Sequence, residues 1–156
     1  MHGITLKEAI ENSPLKKGQI LAGNKGLDRL VTQVNIMEVP DIINWVGSGQ
    51  LLLTAAYSLK DDADLLNKLI PSLNEKGLAG LAVKLKRYIE KIPDETLRIA
   101  DNLGFPIIEI PPDTSFPDIT GPIMAEIFNK HAHILMRTEN IHGLLMDVVL
   151  KGRGLE

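Results

Sequence analysis

Four polar residues stand where predicted strands end, and together they could bind a small metabolite. They are Glu38, Thr54, Lys84 and Asp113, and each follows an apolar run or a proline stop. Ligands of open α/β sheets bind beyond the carboxyl ends of the strands, so these side chains are expected to converge. Two carboxylates, a hydroxyl and an ammonium would suit a molecule with both donors and acceptors. The structural alternative is that Glu38 caps the next helix, Lys84 pairs with an acid and Thr54 simply ends a strand.

Lys84 is the most informative of these four residues. An amine that closes the apolar run Leu81–Val83 would lie partly buried, where it needs an anionic partner or loses affinity for protons. Lys86 and Arg87 follow, so the loop is basic and could meet a carboxylate or a phosphate. A solvated loop that supports solubility is the alternative reading.

Two aromatic residues are candidate apolar walls for a ligand. Trp45 follows a Glu-Val-Pro-Asp turn, and Phe116 lies in the proline-bracketed segment Pro111–Pro117. Each could cover a ligand ring. Each could equally anchor the core or a dimer interface, and for Trp45 we favour that structural role.

The sequence offers little support for catalysis or for a metal site. Cysteine is absent, and Ser48 and Ser58 have no nearby histidine that could activate them. His131 and His133 are two positions apart on a predicted helix, so they point to different faces. We therefore expect no enzyme activity, no metal and no cofactor.

Composition favours a single cytoplasmic domain without a nucleic-acid surface of its own. The 156 residues are enough for one core, the net charge is −3, and aromatic residues make up only 4%. DNA-binding surfaces carry clustered positive charge, and single-strand binding relies on aromatic stacking. We find no apolar stretch long enough for a membrane span and no signal peptide at the start.

A repeated local design predicts the α/β class. In three segments a helical stretch is followed by a glycine and an apolar run, as expected for helices closed by a left-handed residue and followed by buried parallel strands. We therefore predict a three-layer, mostly parallel sheet flanked by helices. The segments are Ile42–Val46 with Gly47 and Gln50–Ala55, Leu65–Lys76 with Gly77 and Leu81–Leu85, and Glu95–Asn102 with Gly104 and Pro106–Ile110.

The residues before these units predict one helix and two strands. Thr5 and Glu8 have the spacing of a capping box, which predicts a helix over Leu6–Asn12. Gln19–Ala22 and the alternating run Leu30–Met37 are typical of strands. Either strand could join either edge of the sheet.

A long C-terminal helix is predicted from Gly121 to about Gly152, which divides the chain into residues 1–120 and 121–156. Pro122 suits its first turn, and apolar residues then recur at spacings close to three and four. A second copy of the chain is the simplest partner for this stripe, so we expect a homodimer. The predicted dimer contacts are Ile127, Ile134, Ile141 and Leu145.

The order and spacing of several segments resemble the N-terminal domain of the purine catabolism regulatory protein-like (PucR-like) family. The resemblance covers nearly the whole chain, with one departure: the strand that usually opens with glutamate opens with Gln50. If that position contributes to recognition, the ligand of this chain differs. The segments are Glu38–Ile42, Trp45, Gly49–Thr54, Gly80–Lys84, Ile92–Pro93, Ala100–Asp101, Phe105–Pro111, Phe116 and Ile119.

The resemblance implies a regulatory role. Members of the family are bacterial transcription regulators in which this domain precedes a middle region and a helix-turn-helix, so DNA would be bound by a part that this chain lacks. We expect a domain that senses a small nitrogenous or carboxylated metabolite, for instance from purine catabolism, and relays its binding through paired long helices. The alternative is a ligand-independent dimerisation or protein-interaction module.

Overall fold

A mixed five-stranded sheet with helices on both faces forms the centre of the molecule, as predicted. The computed structural model describes residues 3–39, 41–60, 62 and 64–132. The elements are β1 (Ile4–Thr5), α1 (Leu6–Glu11), β2 (Gln19–Ala22), β3 (Leu30–Val31), β4 (Gln33–Ile36), β5 (Gln50–Thr54), α2 (Leu65–Glu75), β6 (Gly80–Val83), α3 (Asp94–Leu103), β7 (Ile107–Glu109) and α4 (residues 116–132).

The strand order of the sheet is β2-β7-β6-β5-β4. β4 to β7 run parallel, and β2 pairs antiparallel with β7 at one edge. The predicted strand Leu30–Met37 is split, because β3 pairs with β1 in a separate two-stranded ribbon while β4 forms the other edge of the main sheet. The parallel direction places the carboxyl ends of β4, β5 and β6 at one end of the sheet.

Two apolar clusters sandwich the sheet because successive strand residues point to opposite faces. Leu52, Leu81 and Ile107 pack on one face with α2, α3 and the turns around them. Leu51 and Ala82 pack on the other face with α1, α4 and the β1–β3 ribbon. Burial on both faces explains why β5 and β6 are almost entirely apolar.

Two of the three predicted glycine stops are confirmed. Gly77 and Gly104 follow α2 and α3 with φ of +80° and +65°. The first unit differs, because its helix is a single 3-10 turn over Ile42–Asn44 and Gly47 does not have a positive φ. A segment this short cannot offset the cost of helix nucleation. The left-handed residue there is instead Gly49, with φ of +80°.

The C-terminal helix begins at residue 116, five positions before the predicted start. Ser115 and Asp118 cap it reciprocally, since each backbone amide donates to the other side chain, and Pro117 lies in the first turn. The predicted boundary between residues 120 and 121 therefore falls inside a helix. The predicted end near Gly152 lies outside the described residues.

The first turns of α4 belong to the core of the domain itself. Ile119, Ile123 and Ile127 are at most 5% exposed and pack against the sheet. We predicted Ile127 as a dimer contact, and the structure corrects this prediction. The Ile127 side chain is covered by residues of its own chain. The other predicted dimer contacts, Ile134, Ile141 and Leu145, lie outside the described residues.

Among the described helices, none is both long enough and apolar enough to cross a lipid bilayer.

Candidate functional site: a cleft at the strand ends

An open cleft of about 410 Å³ lies beyond the carboxyl ends of β4, β5 and β6. Each of these strands contributes the residues that follow it, and the start of α4 closes the remaining side. This is the position where the strand-end rule places ligands in open α/β sheets. The lining residues are Glu38, Ala55, Tyr57, Lys84, Arg87, Tyr88, Ser115, Phe116 and Pro117.

The carboxylate of Glu38 is held by the loop that follows β5. Its Oε1 accepts hydrogen bonds from the Thr54 hydroxyl at 3.2 Å and from the Ala55 amide, and its Oε2 accepts from the Tyr57 amide at 3.1 Å. Glu38 therefore accepts hydrogen bonds from backbone amides in the loop after β5. The predicted structural alternative was different, since it had Glu38 capping the helix that directly follows Glu38 in the sequence. Three accepted hydrogen bonds offset the cost of partly burying the charge.

Thr54 lies behind the cleft wall and does not line it. Its side chain is buried, with 1% exposure, and the hydroxyl donates to Glu38 while accepting from the Ala56 amide at 3.0 Å. Thr54 thus positions Glu38 and shapes the loop rather than facing the cleft.

The loops beside the cleft contain two non-glycine residues in the left-handed region. Ala56 has φ of +64° and Lys86 has φ of +71°. This conformation costs an L-residue roughly 1–2 kcal/mol. Such strain persists only where surrounding contacts impose it, and it clusters at binding sites. At Ala56 those contacts come from Thr54 and Glu38, which hold the amides on either side.

Lys84 reaches from the end of β6 to the segment that precedes α4. Its backbone amide continues the ladder to the Thr54 carbonyl, and its Nζ donates to the Thr114 carbonyl at 2.9 Å. The same Nζ lies 5.9 Å from the centre of the Phe116 ring. Within the described part of the chain no carboxylate lies within 4.0 Å of this ammonium, so the predicted alternative of an acidic partner is not observed.

Two tyrosines flank the mouth of the cleft. The rings of Tyr57 and Tyr88 meet edge to face, with centroids 4.9 Å apart and planes at 83°. The Arg87 guanidinium lies 5.6 Å from the Tyr88 ring centre. Tyr57 was not among our candidates, although it follows β5 by three residues and the strand-end rule could have identified it. Both rings are partly exposed and offer flat apolar surface.

Trp45 and Asp113 do not line the cleft, unlike Glu38, Lys84 and Phe116. Trp45 is 61% exposed, so it is not a core residue of the described chain, and its indole N–H donates to Asp41 at 3.0 Å. Asp113 is exposed on a turn that the Thr114 amide closes onto the Pro111 carbonyl. That turn brings Ser115, two positions later, to the cleft instead.

Gln50, the departure from the family pattern, lies at the opposite end of β5 from the cleft. Its side-chain oxygen accepts from Asn35 at 3.1 Å, and its nitrogen donates to Gln33 at 3.5 Å. These contacts join β5 to the edge strand β4, so the substitution does not alter the cleft.

A second, smaller cavity of about 190 Å³ lies between α2 and two 3-10 turns. We refer to it as the apolar groove. The described residues that line it include one charged side chain, Lys68. Neither here nor elsewhere in the described part of the chain do three or more His, Asp or Glu residues form a group that could hold a metal ion. Its lining residues are Ile42, Ile43, Ser58, Leu59, Leu65, Lys68, Leu69 and Ser72.

Comparisons with known proteins identify relatives of most of the chain. A sequence profile of the purine catabolism regulatory protein-like family matches residues 8–127. The chain is 36% identical over 141 residues to the purine catabolism regulatory protein of Bacillus subtilis (strain 168), covering 90% of this chain and 27% of that protein. It is 29% identical over 126 residues to the transcriptional activator PmfR of Paenarthrobacter nicotinovorans, covering 81% and 27%. The chain thus spans about a quarter of the length of these curated relatives.

One solved structure is similar at low identity. The regulatory region of Clostridium perfringens pyrophosphatase, whose CBS and DRTGG domains were crystallised with the activator diadenosine tetraphosphate, aligns with a TM-score of 0.48 and 13% identity. The alignment covers 76% of this chain and 45% of that one. A likeness of this size carries no argument about ligand or mechanism.

Proposed function

Because this chain belongs to the purine catabolism regulatory protein-like family, we propose that it is the ligand-sensing domain of a bacterial transcription regulator. The observation that carries the proposal is the strand-end cleft, which combines charged groups, aromatic surface and the first turn of α4. The chain supplies the sensor, and DNA binding belongs to a helix-turn-helix region of the full-length regulator. We place the domain in the cytoplasm, where such a regulator meets both metabolites and DNA.

The ligand in this proposal is a small metabolite. The name of the Bacillus subtilis relative points to purine catabolism, whose intermediates are nitrogen-rich and in part carboxylated. The cleft volume of about 410 Å³ falls in the range of small-molecule sites. Aromatic and charged side chains line the same cavity, so a compact polar molecule with a flat part would be accommodated.

The relay would run through α4. Phe116 and Pro117, which line the cleft, lie in the first turn of this helix, while Ile119 and Ile123 fix its next turns to the sheet. A ligand that binds two arrangements of the helix unequally would shift the population between them. In a homodimer paired through the later part of the helix, that shift would change the spacing of the attached DNA-binding regions.

An enzymatic role is not part of the proposal. The relatives are named as regulators, and Glu38, the one carboxylate among the described residues that line the cleft, already accepts three hydrogen bonds. A general acid or base needs a free site toward the reacting group and a partner of matched pKa. Turnover of a bound metabolite would contradict this view.

Isothermal titration calorimetry with purine-breakdown intermediates and amino acids tests the proposal. We expect at least one compound to bind, and Phe116→Ala to weaken it because the ring lines the cleft. Phe128→Ala is the matched control: it removes the same ring from the same helix at a position that is 63% exposed and away from the cleft. Absence of binding across the panel, or equal effects of the two variants, would contradict a sensor at this cleft.

A ligand-independent interaction module is the second candidate, and the exposure of Phe128 favours it. A large apolar ring that is 63% exposed on α4 is suited to contact with another chain. In that case Glu38→Ala and Lys84→Met would leave regulation by the full-length protein intact, whereas charged substitutions at Ile134 or Ile141 would abolish it. A reporter assay on these variants separates the two functions.

A further inference from the structure

The charges around the cleft differ in sign from those of the whole chain. The chain carries a net charge of −3, yet the described residues that line the cleft include two cations, Lys84 and Arg87, and one carboxylate, Glu38. A local excess of positive charge on an acidic protein is not a by-product of overall composition. It gives the cleft a preference for anions.

The carboxylate of Glu38 does not cancel this preference. Both of its oxygens accept hydrogen bonds from Thr54 at the end of β5 and from the loop after it; these bonds stabilise the carboxylate, and its single negative charge leaves the two cations in excess. The carboxylate does not form an ion pair with the Lys84 ammonium, because the two groups are more than 4.0 Å apart. The negative group is thus committed to the loop, while the positive groups remain open to a ligand.

The ammonium of Lys84 has hydrogen-bonding capacity to spare. It carries three donors, and its one protein acceptor within the described residues is the neutral carbonyl of Thr114. A carboxylate is a stronger acceptor for an ammonium than a peptide carbonyl, because both partners then carry charge. The Phe116 ring at 5.9 Å also supports a cation at this position.

The aromatic surfaces define the shape of the rest of the ligand. The Tyr57–Tyr88 pair stands at the mouth of the cleft and Phe116 forms part of its wall, so flat apolar faces surround the cations. A planar group that bears an acidic function would contact rings and ammonium together. Arg87, which lies over Tyr88, is placed to contribute a second donor to the anion.

We infer that the cleft selects a planar organic anion and that Lys84 binds its charged group with the donors that the Thr114 carbonyl leaves unused. The inference rests on the proposed function, because it takes the cleft as the ligand site. The same ammonium holds the Thr114 carbonyl, and Thr114 directly precedes the cap residue Ser115, so a ligand bound to Lys84 would lie next to the start of α4. Lys84 thereby couples the ligand to the start of the helix.

The test uses benzoate and benzamide, which have nearly the same shape and differ in charge. Amide chemical shifts of the whole chain are followed by nuclear magnetic resonance while each compound is added. We expect benzoate to bind about tenfold more tightly than benzamide, because one charge-assisted hydrogen bond contributes that much. We also expect benzoate to shift the amides of Thr114, Ser115 and Phe116.

Variants assign the preference to one side chain. Lys84→Met, which keeps the length and removes the charge, should lower benzoate affinity to that of benzamide, and Lys84→Gln provides a second uncharged variant. Lys91→Met is the matched control, since Lys91 is exposed and lies outside the cleft. Equal binding of the two probes, no benzoate binding, or retained preference in both Lys84 variants would overturn the inference. A metabolite that still binds at the cleft in those cases would leave the proposed function standing.

Discussion

At the scale of single residues, Glu38 connects the sheet to the cleft more directly than any other side chain. It follows the edge strand β4, yet its contacts are with the loop after the neighbouring strand β5. One carboxylate therefore fixes two strand-end loops relative to each other. This explains how Ala56 is kept at a positive φ without a glycine.

Glu38→Ala is expected to destabilise the domain by about 1–3 kcal/mol. The substitution leaves the Ala55 amide and the buried Thr54 hydroxyl without their acceptor, and unsatisfied buried donors cost on that order, while water can replace the acceptor of the more exposed Tyr57 amide. Urea unfolding followed by circular dichroism measures the change. Glu90→Ala, at an exposed position, is the control and should change the free energy of unfolding by less than about 0.5 kcal/mol. Equal stability of the two variants would show that the Glu38 contacts contribute nothing.

Strand-end residues were predictable from the sequence because parallel strands bring their carboxyl ends together whatever the details of the loops. That rule correctly predicted from the sequence alone that Glu38, Lys84 and Thr54 lie in one region of the molecule. It could not distinguish a side chain that lines the cleft from one behind it, as Thr54 is. It was wrong for Asp113, which it predicted to join these residues, because the path of that turn depends on the hydrogen bond from Thr114 to Pro111, and it made no prediction for Trp45.

At the scale of elements, the three glycine stops are not equivalent. Gly104 closes α3 with φ of +65° and Gly77 closes α2 with φ of +80°, whereas Gly47 has no positive φ and follows only a 3-10 turn. The sequence pattern alone could not separate them. In the first unit, where only a 3-10 turn precedes β5, the left-handed residue is Gly49, directly before the strand.

Substituting alanine at two of these positions tests the distinction. Gly104→Ala should cost about 1–2 kcal/mol, because an added Cβ would make only an ordinary contact with the Lys25 Cβ at 3.8 Å and the left-handed conformation is the main penalty. Gly47→Ala, whose Cβ would meet nothing within 4 Å, should be neutral within about 0.5 kcal/mol. Chemical denaturation midpoints measure both. A larger loss at Gly47 than at Gly104 would contradict the assignment of the stops.

The capping box of α1 provides a pH-dependent contribution to stability. The Thr5 amide donates to the Glu8 carboxylate at 3.2 Å, and this hydrogen bond lowers the pKa of Glu8 below its ordinary value of 4.5. Lys130 of α4, 3.8 Å away, acts in the same direction. A carboxyl with a lowered pKa stabilises the fold above its unfolded pKa, and that contribution is lost as the pH falls through the folded value.

We therefore expect Glu8→Gln to reduce the free energy of unfolding at pH 7 and to have little effect at pH 3. Glu11→Gln, on the same helix and exposed, is the control and should behave alike at both pH values. Thermal unfolding at the two pH values makes the comparison. If the effect of Glu8→Gln is the same at both, the charge of Glu8 does not contribute through the capping box.

The start of α4 was the largest error at the element scale. Gly121 and Pro122 are sequence signals for a helix start, but the Ser115–Asp118 cap with Pro117 provides another one six residues earlier. Three buried isoleucines then extend the helix across the sheet. The apolar spacing predicted a helix in this segment but not its first residue, since helix boundaries depend on local capping contacts.

At the scale of the whole molecule, the three-layer architecture follows from apolar strands that must be covered on both faces. The two separate clusters on either side of the sheet are what the sequence pattern of β5 and β6 requires. The edges of the sheet were not predictable, because strands of only four residues, such as β2 and β4, carry too weak a pattern to fix their neighbours. The same architecture joins the cleft to α4, which is the basis of the proposed relay.

The most direct test of the central claim is amide chemical-shift mapping while the panel of purine-breakdown intermediates is titrated into the domain. The account predicts that a binding compound shifts the amides of Tyr57, Tyr88 and Phe116 most strongly, followed by the first turn of α4. Shifts centred on Ile43 and Leu69, which line the apolar groove, or no shifts with any compound would contradict a ligand site at the strand ends.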